Sequence, residues 1–118
     1  MITILPESNG PLICIKISGK LTDAEYKDFI PQVESVMEKF GKIKFYINIL
    51  DFNGWEWRVA WDDFAFGFEH WDNFETLAIV GDKRWERLAT LVQKKLIKAN
   101  VRYFYRRQEN EALIWAVV

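Results

Sequence analysis

From Leu12 to Ser18 the chain alternates strictly, with Ile13, Ile15 and Ile17 on one side and Leu12, Cys14, Lys16 and Ser18 on the other. A period of two is the mark of a strand with two different faces, and it turns Cys14 away from the isoleucines. Ile2–Leu5 is a shorter apolar run, and Asn9-Gly10 between the two is a tight-turn signal, so they are predicted to form a hairpin. The period then changes. Thr22 is a good N-cap, and Tyr26, Phe29, Ile30, Val33, Val36, Met37 and Phe40 recur at helical spacing up to Gly41. Pro31 lies inside this stretch and cannot donate a ladder bond, which predicts a kink or a fresh helical start there.

Ile43–Leu50 is β-rich, and Asp51-Phe52-Asn53-Gly54 reads as a turn by composition. A helix is predicted from Trp57 to Trp71, a short strand at Thr76–Val80, a break at Gly81-Asp82 and a basic helix over Lys83–Lys98. Val101–Tyr105 is a further strand and Glu109–Val118 a last helix. The order ββαβαβαβα contains three strand–helix–strand crossovers long enough for parallel pairing. An α/β fold follows: a mixed, mainly parallel sheet of about five strands covered by helices. With 118 residues and no linker or internal repeat, residues 1–118 read as one domain.

The opening hairpin, Gly54-Trp55-Glu56-Trp57 leading into Trp61-Asp62-Asp63-Phe64, the run Ala78-Ile79-Val80-Gly81-Asp82-Lys83-Arg84-Trp85-Glu86, and Val101-Arg102-Tyr103-Phe104 together carry a resemblance. In this order they resemble the SpoIIAA-like branch of the STAS superfamily. The resemblance implies the STAS fold, which is also similar to that of CRAL-TRIO lipid-binding domains. In the anti-anti-sigma members a serine in a turn after the central strand is phosphorylated. The matching stretch here, Asp51 to Arg58, has no hydroxyl residue, and the chain's only serines are Ser8, Ser18 and Ser35. No phosphorylation site is therefore expected, because the modification needs an oxygen nucleophile.

Composition sharpens this picture at one place. Aromatic residues make up 16% of the chain, and nine Phe or Trp fall between Phe52 and Phe74. On the predicted helix, Trp57, Trp61, Phe64, Phe68 and Trp71 share a sector of about 80°, the width of a core-facing stripe. Val59 and Phe66 fall on the opposite face among Asp62, Asp63 and His70. A neighbouring helix, a second subunit, or exposure to membrane or ligand would each account for them. Trp55, in the preceding loop, is a further candidate wedge, since an indole suits a bilayer interface.

The net charge of −1 conceals two opposed blocks. Residues 51–81 carry seven acids against Arg58, and residues 82–107 carry nine bases against Asp82 and Glu86. Lys83 and Arg84 would follow an Asp82 N-cap, where backbone N–H groups and two cations suit an anion; pairing with the acidic block is the other reading. Nucleic acid is not an expected partner, because the pI is about 5.9 and no reader motif is present.

The exclusions are broad. One cysteine, Cys14, allows no internal disulfide, and one histidine, His70, leaves zinc and general-base chemistry without a ligand set. No phosphate loop, serine elbow or paired carboxylates at a shared spacing occur, and Asp62-Asp63 would splay about 100° apart on a helix. No signal segment or spanning run is present, so a cytoplasmic location is expected, peripheral on the inner face of the membrane at most. The sequence thus points to a bacterial, non-enzymatic binding protein with no catalytic residue, metal or cofactor. Trp55, Trp57, Val59 and Phe66 would contact a lipid, another amphiphile or a membrane surface, through a mobile helix, and Lys83 and Arg84 would hold the anionic group. The alternative is a protein–protein regulatory module on the STAS scaffold, an enzyme comes third, and homodimerisation through the aromatic surface is compatible with all three.

Overall fold

Five strands form one sheet in the order β1-β2-β3-β4-β5, which is also their order along the chain. They are β1 (Ile2–Ile4), β2 (Leu12–Gly19), β3 (Ile43–Phe52), β4 (Phe74–Gly81) and β5 (Asn100–Tyr105). The helices described are α1 (Asp23–Phe40) and α2 (Glu109–Val117), the latter entered through a 3₁₀ turn at Arg106–Gln108. The structure, a computed structural model, describes residues 1–19, 23–52, 73–82 and 99–117. The helices predicted over 57–71 and 83–98 lie outside the described residues.

The hairpin is present. Ile2 pairs with Ile17 and Ile4 with Ile15, antiparallel, while β2–β3, β3–β4 and β4–β5 are all parallel. Its tight turn is centred on Gly10-Pro11, one residue later than predicted. Asn9 and Leu12 exchange backbone bonds of 3.0 and 2.9 Å, and Gly10 takes a φ of 57°. A glycine at positive φ followed by a proline with φ locked near −65° fits a two-residue hairpin turn.

The two faces of the sheet are covered separately. Ile13, Ile15, Phe45, Ile49, Leu77 and Ile79 pack against Phe29, Val33 and Met37 of α1. Leu12, Cys14, Tyr46, Ala78, Val80 and Phe104 pack against Ala112 and Ala116 of α2. Ala78, Ala112 and Ala116 are all wholly buried, so α2 meets the sheet through methyl groups. Cys14 faces away from the isoleucines, as its place in the alternation requires.

Three local expectations are corrected. The fresh start offered as one outcome at Pro31 does not occur: α1 runs unbroken from Asp23 to Phe40, with Pro31 on its exposed face and the packed row Phe29–Val33–Met37 continuing past it. Phe40, expected on the buried stripe, is exposed, at the last position before the helix closes. There Gly41 takes a φ of 73° and donates to the Met37 carbonyl at 2.7 Å, an αL C-cap. Asp51-Phe52, read as turn, continue β3, with Phe52 in register with Gly19. Neighbouring strands supply the pairing that composition opposed.

Candidate functional site

Parallel pairing places the carboxyl ends of β2, β3, β4 and β5 along one edge of the sheet. On the α2 face, a polar seam leads to that edge through Cys14, Tyr46 and Asn48. Cys14 is paired in register with Tyr46, and Asn48 follows two residues along β3. Asn48 is only 2% exposed. Its Nδ2 donates to Oε1 of Glu109 at 2.8 Å, which ties the first turn of α2 to the middle of the sheet. Its Oδ1 is buried with no hydrogen-bond partner, a costly state for an amide oxygen. The opposite end of α2 is tied too, with the Lys44 Nζ donating to the Val117 carbonyl at 3.3 Å.

The titratable members of the seam are held neutral at pH 7. Burial pushes Tyr46 up to about 12; the Glu109 charge adds to this and the Asn48 hydrogen bond opposes it. Burial pushes the Cys14 thiol up to about 11, reinforced by Glu7 and opposed by a hydrogen bond from Ser8. The Ser8 hydroxyl also bridges the Cys14 backbone, accepting from its N–H at 2.9 Å and donating to its carbonyl at 3.2 Å. A buried, protonated thiol is a weak nucleophile.

At the edge itself, the Arg106 guanidinium donates to the Ile49 carbonyl, and the Tyr103 hydroxyl donates to the carbonyl of Asp82. Tyr103 and Tyr105 meet edge-to-face at 5.8 Å, with the Arg107 guanidinium 5.9 Å from the Tyr105 ring. Gly81 and Tyr105 are the last register pair of β4 and β5. Arg106-Arg107 follow Tyr105 directly, and Lys83-Arg84 follow Gly81 after one residue. Two pairs of cations therefore succeed two neighbouring strand ends in the sequence. Among the described residues there is no group of three or more side chains suited to a metal, and no helix long and apolar enough to cross a membrane.

The residues predicted for binding, Trp55, Trp57, Val59, Phe66, Lys83 and Arg84, lie outside the described residues, as do Asp62, Asp63 and His70. What the structure fixes is where the chain leaves for them. Trp55 comes three residues after Phe52, the end of β3, and Lys83 directly after Asp82, which follows the end of β4. Those ends belong to adjacent parallel strands. Sequence reasoning missed Tyr46, Asn48, Glu109 and Arg106. The alternation of Tyr46 and Asn48 with Phe45, Ile47 and Ile49 was the available signal for the first two.

No curated protein matches the chain. A solved structure of an uncharacterized protein with a SpoIIAA-like fold from Shewanella loihica is similar, with a TM-score of 0.75 and 26% identity, covering 98% of this chain and 93% of that one. The SpoIIAA-like family profile matches residues 12–116, from the first residue of β2 to the penultimate residue of α2. With that match spanning nearly the whole sheet and both described helices, the chain belongs to the SpoIIAA-like family.

Proposed function

We propose that this protein is a non-enzymatic, cytoplasmic binding protein that takes up a lipid or other anionic amphiphile at the carboxyl edge of its sheet and associates peripherally with membrane. The observation that carries this reading is the adjacency of the β3 and β4 carboxyl ends. From these ends the chain continues into its aromatic segment and its basic segment respectively. Trp55, Trp57, Val59 and Phe66 contact the acyl chain or the bilayer, and Lys83 and Arg84 take the anionic group. The pairing of aromatic and cationic residues suits an amphiphile, because indole rings favour an interface and cations favour an anionic headgroup. Arg106 and Arg107 add positive charge at the same edge.

Native mass spectrometry of the intact protein, mixed with a long-chain acyl phosphate and separately with inorganic phosphate, tests this. The expected result is a one-to-one adduct with the acyl phosphate that Lys83→Ala/Arg84→Ala weakens. Equal binding of the two probes, or no adduct with either, overturns the amphiphile reading. A protein captured in place of any lipid, and lost on Phe66→Asp, would favour a regulatory module.

A further inference from the structure

The C-terminal helix presents a second apolar surface, unconnected with the ligand reading above. Residues 112–117 of α2 are all apolar, Ala-Leu-Ile-Trp-Ala-Val. A helix lying on one face of a sheet needs only one apolar stripe, and Ala112 and Ala116 supply it. Ile114 and Val117, three residues apart on the outer side, are 66% and 56% exposed. At i and i+3 they form one continuous patch.

The charges around this patch are arranged end to end. Glu109 and Glu111 stand in the first turn of α2. The far half is flanked by cations. Lys44 reaches the Val117 carbonyl, and the Arg102 guanidinium sits 4.8 Å from the Phe104 ring, which in turn meets Trp115 at 5.8 Å. Arg106 and Arg107, just before the helix, are drawn to the Ile49 carbonyl and the Tyr105 ring.

We infer that α2 is a self-association surface whose occupant is a second copy of this chain, packed about a two-fold axis with the two α2 helices antiparallel. Such an axis puts Ile114 and Val117 of one copy on the same residues of the other. It carries the acidic end of each helix towards the basic end of its neighbour, so Glu111 approaches the partner subunit's Arg102 and the partner subunit's Lys44. Antiparallel helix dipoles favour the same orientation. A bilayer fits less well, because Glu111 borders the patch and is repelled by anionic lipid. The helix is nine residues long, so the contact is small and belongs with transient interfaces. The dimer should dissociate in the micromolar range or above.

Sedimentation velocity of the full chain over a wide concentration range, at low and at moderate salt, tests the inference. The wild type is expected to show a concentration-dependent dimer. Ile114→Asp, at an exposed position and with its fold checked by circular dichroism, should weaken it about tenfold or more, because a two-fold axis counts the substitution twice. Glu111→Arg should weaken the dimer, and Glu111→Arg with Arg102→Glu should restore it. A wild type that stays monomeric throughout overturns the inference, as does a dimer indifferent to Ile114→Asp. Vesicle binding by a monomeric wild type, abolished by Ile114→Asp, would overturn it in favour of a membrane.

Discussion

Glu109 is exposed at the start of α2, and a surface carboxylate is ordinarily replaceable within about 0.5 kcal/mol. Here it accepts from an Asn48 amide that is 2% exposed. Glu109→Ala leaves that Nδ2 buried beside an Oδ1 that already has no partner. Losing the acceptor of a charge-assisted bond, with only the Tyr46 hydroxyl left to that donor, should cost about 1.5–3 kcal/mol, with about 0.5 kcal/mol more from removing an acid at a helix N-terminus. For 118 residues, each kcal/mol lowers the melting temperature by about 4 °C, so a drop of about 8–14 °C is expected. Asn48→Leu is close in size and removes the stranded oxygen together with the donor, at the loss of the Tyr46 bond, so it should cost less than Glu109→Ala. In that background Glu109→Ala should cost only the helix-dipole part. Urea unfolding followed by circular dichroism, run as a double-mutant cycle, measures the coupling directly. Equal cost in both backgrounds, or a cost below about 0.5 kcal/mol in the wild type, would refute the claim that Asn48 and Glu109 anchor α2 to the sheet.

Other expectations follow from single positions. Gly41→Ala places a side chain at a φ of 73° with nothing within 4 Å, so the penalty is backbone strain alone, about 1–2 kcal/mol by thermal denaturation. Ala116→Leu forces three extra carbons into the contact between α2 and the sheet and should cost about 1–3 kcal/mol, seen as a lower urea midpoint. Cys14 and Tyr46 have raised pKa values in the fold, so the folded state holds their protons more tightly than the unfolded chain. Their stabilisation is complete below about pH 9 and is lost as pH rises through about 11 and 12, which alkaline titration of the melting temperature will show. A thiol reagent at pH 8 should label Cys14 only at the rate of opening of the fold, faster in urea.

The sequence made β2 and α1 legible because each carries one-face information in its own residues. Ile13, Ile15 and Ile17 declare β2, and the helical spacing from Phe29 to Met37 declares α1, whatever lies around them. Asp51-Phe52 did not, because their strand state comes from pairing with the end of β2, a partner more than thirty residues away. Pro31 misled for a related reason: its local cost is real, but the packed side of α1 does not use it. The Asn48–Glu109 bond spans 61 residues, and no local pattern in either segment names the other. Asn48 could be suspected only as the polar member of an alternation whose other face was apolar. Trp55, Trp57, Lys83 and Arg84, proposed for binding, stand out by composition and spacing alone; the structure adds that their segments depart from neighbouring strand ends.

The most direct test of the central claim is flotation of the intact protein with vesicles of neutral and of mixed anionic lipid. The account predicts that wild type floats with anionic vesicles and that Trp55→Ala/Trp57→Ala loses most of that binding. Lys83→Ala/Arg84→Ala should weaken it about thirtyfold, from about 1 kcal/mol per cation near an anionic surface. A wild type that stays at the bottom of the gradient with both vesicle types, or one that floats equally well without these residues, would contradict it.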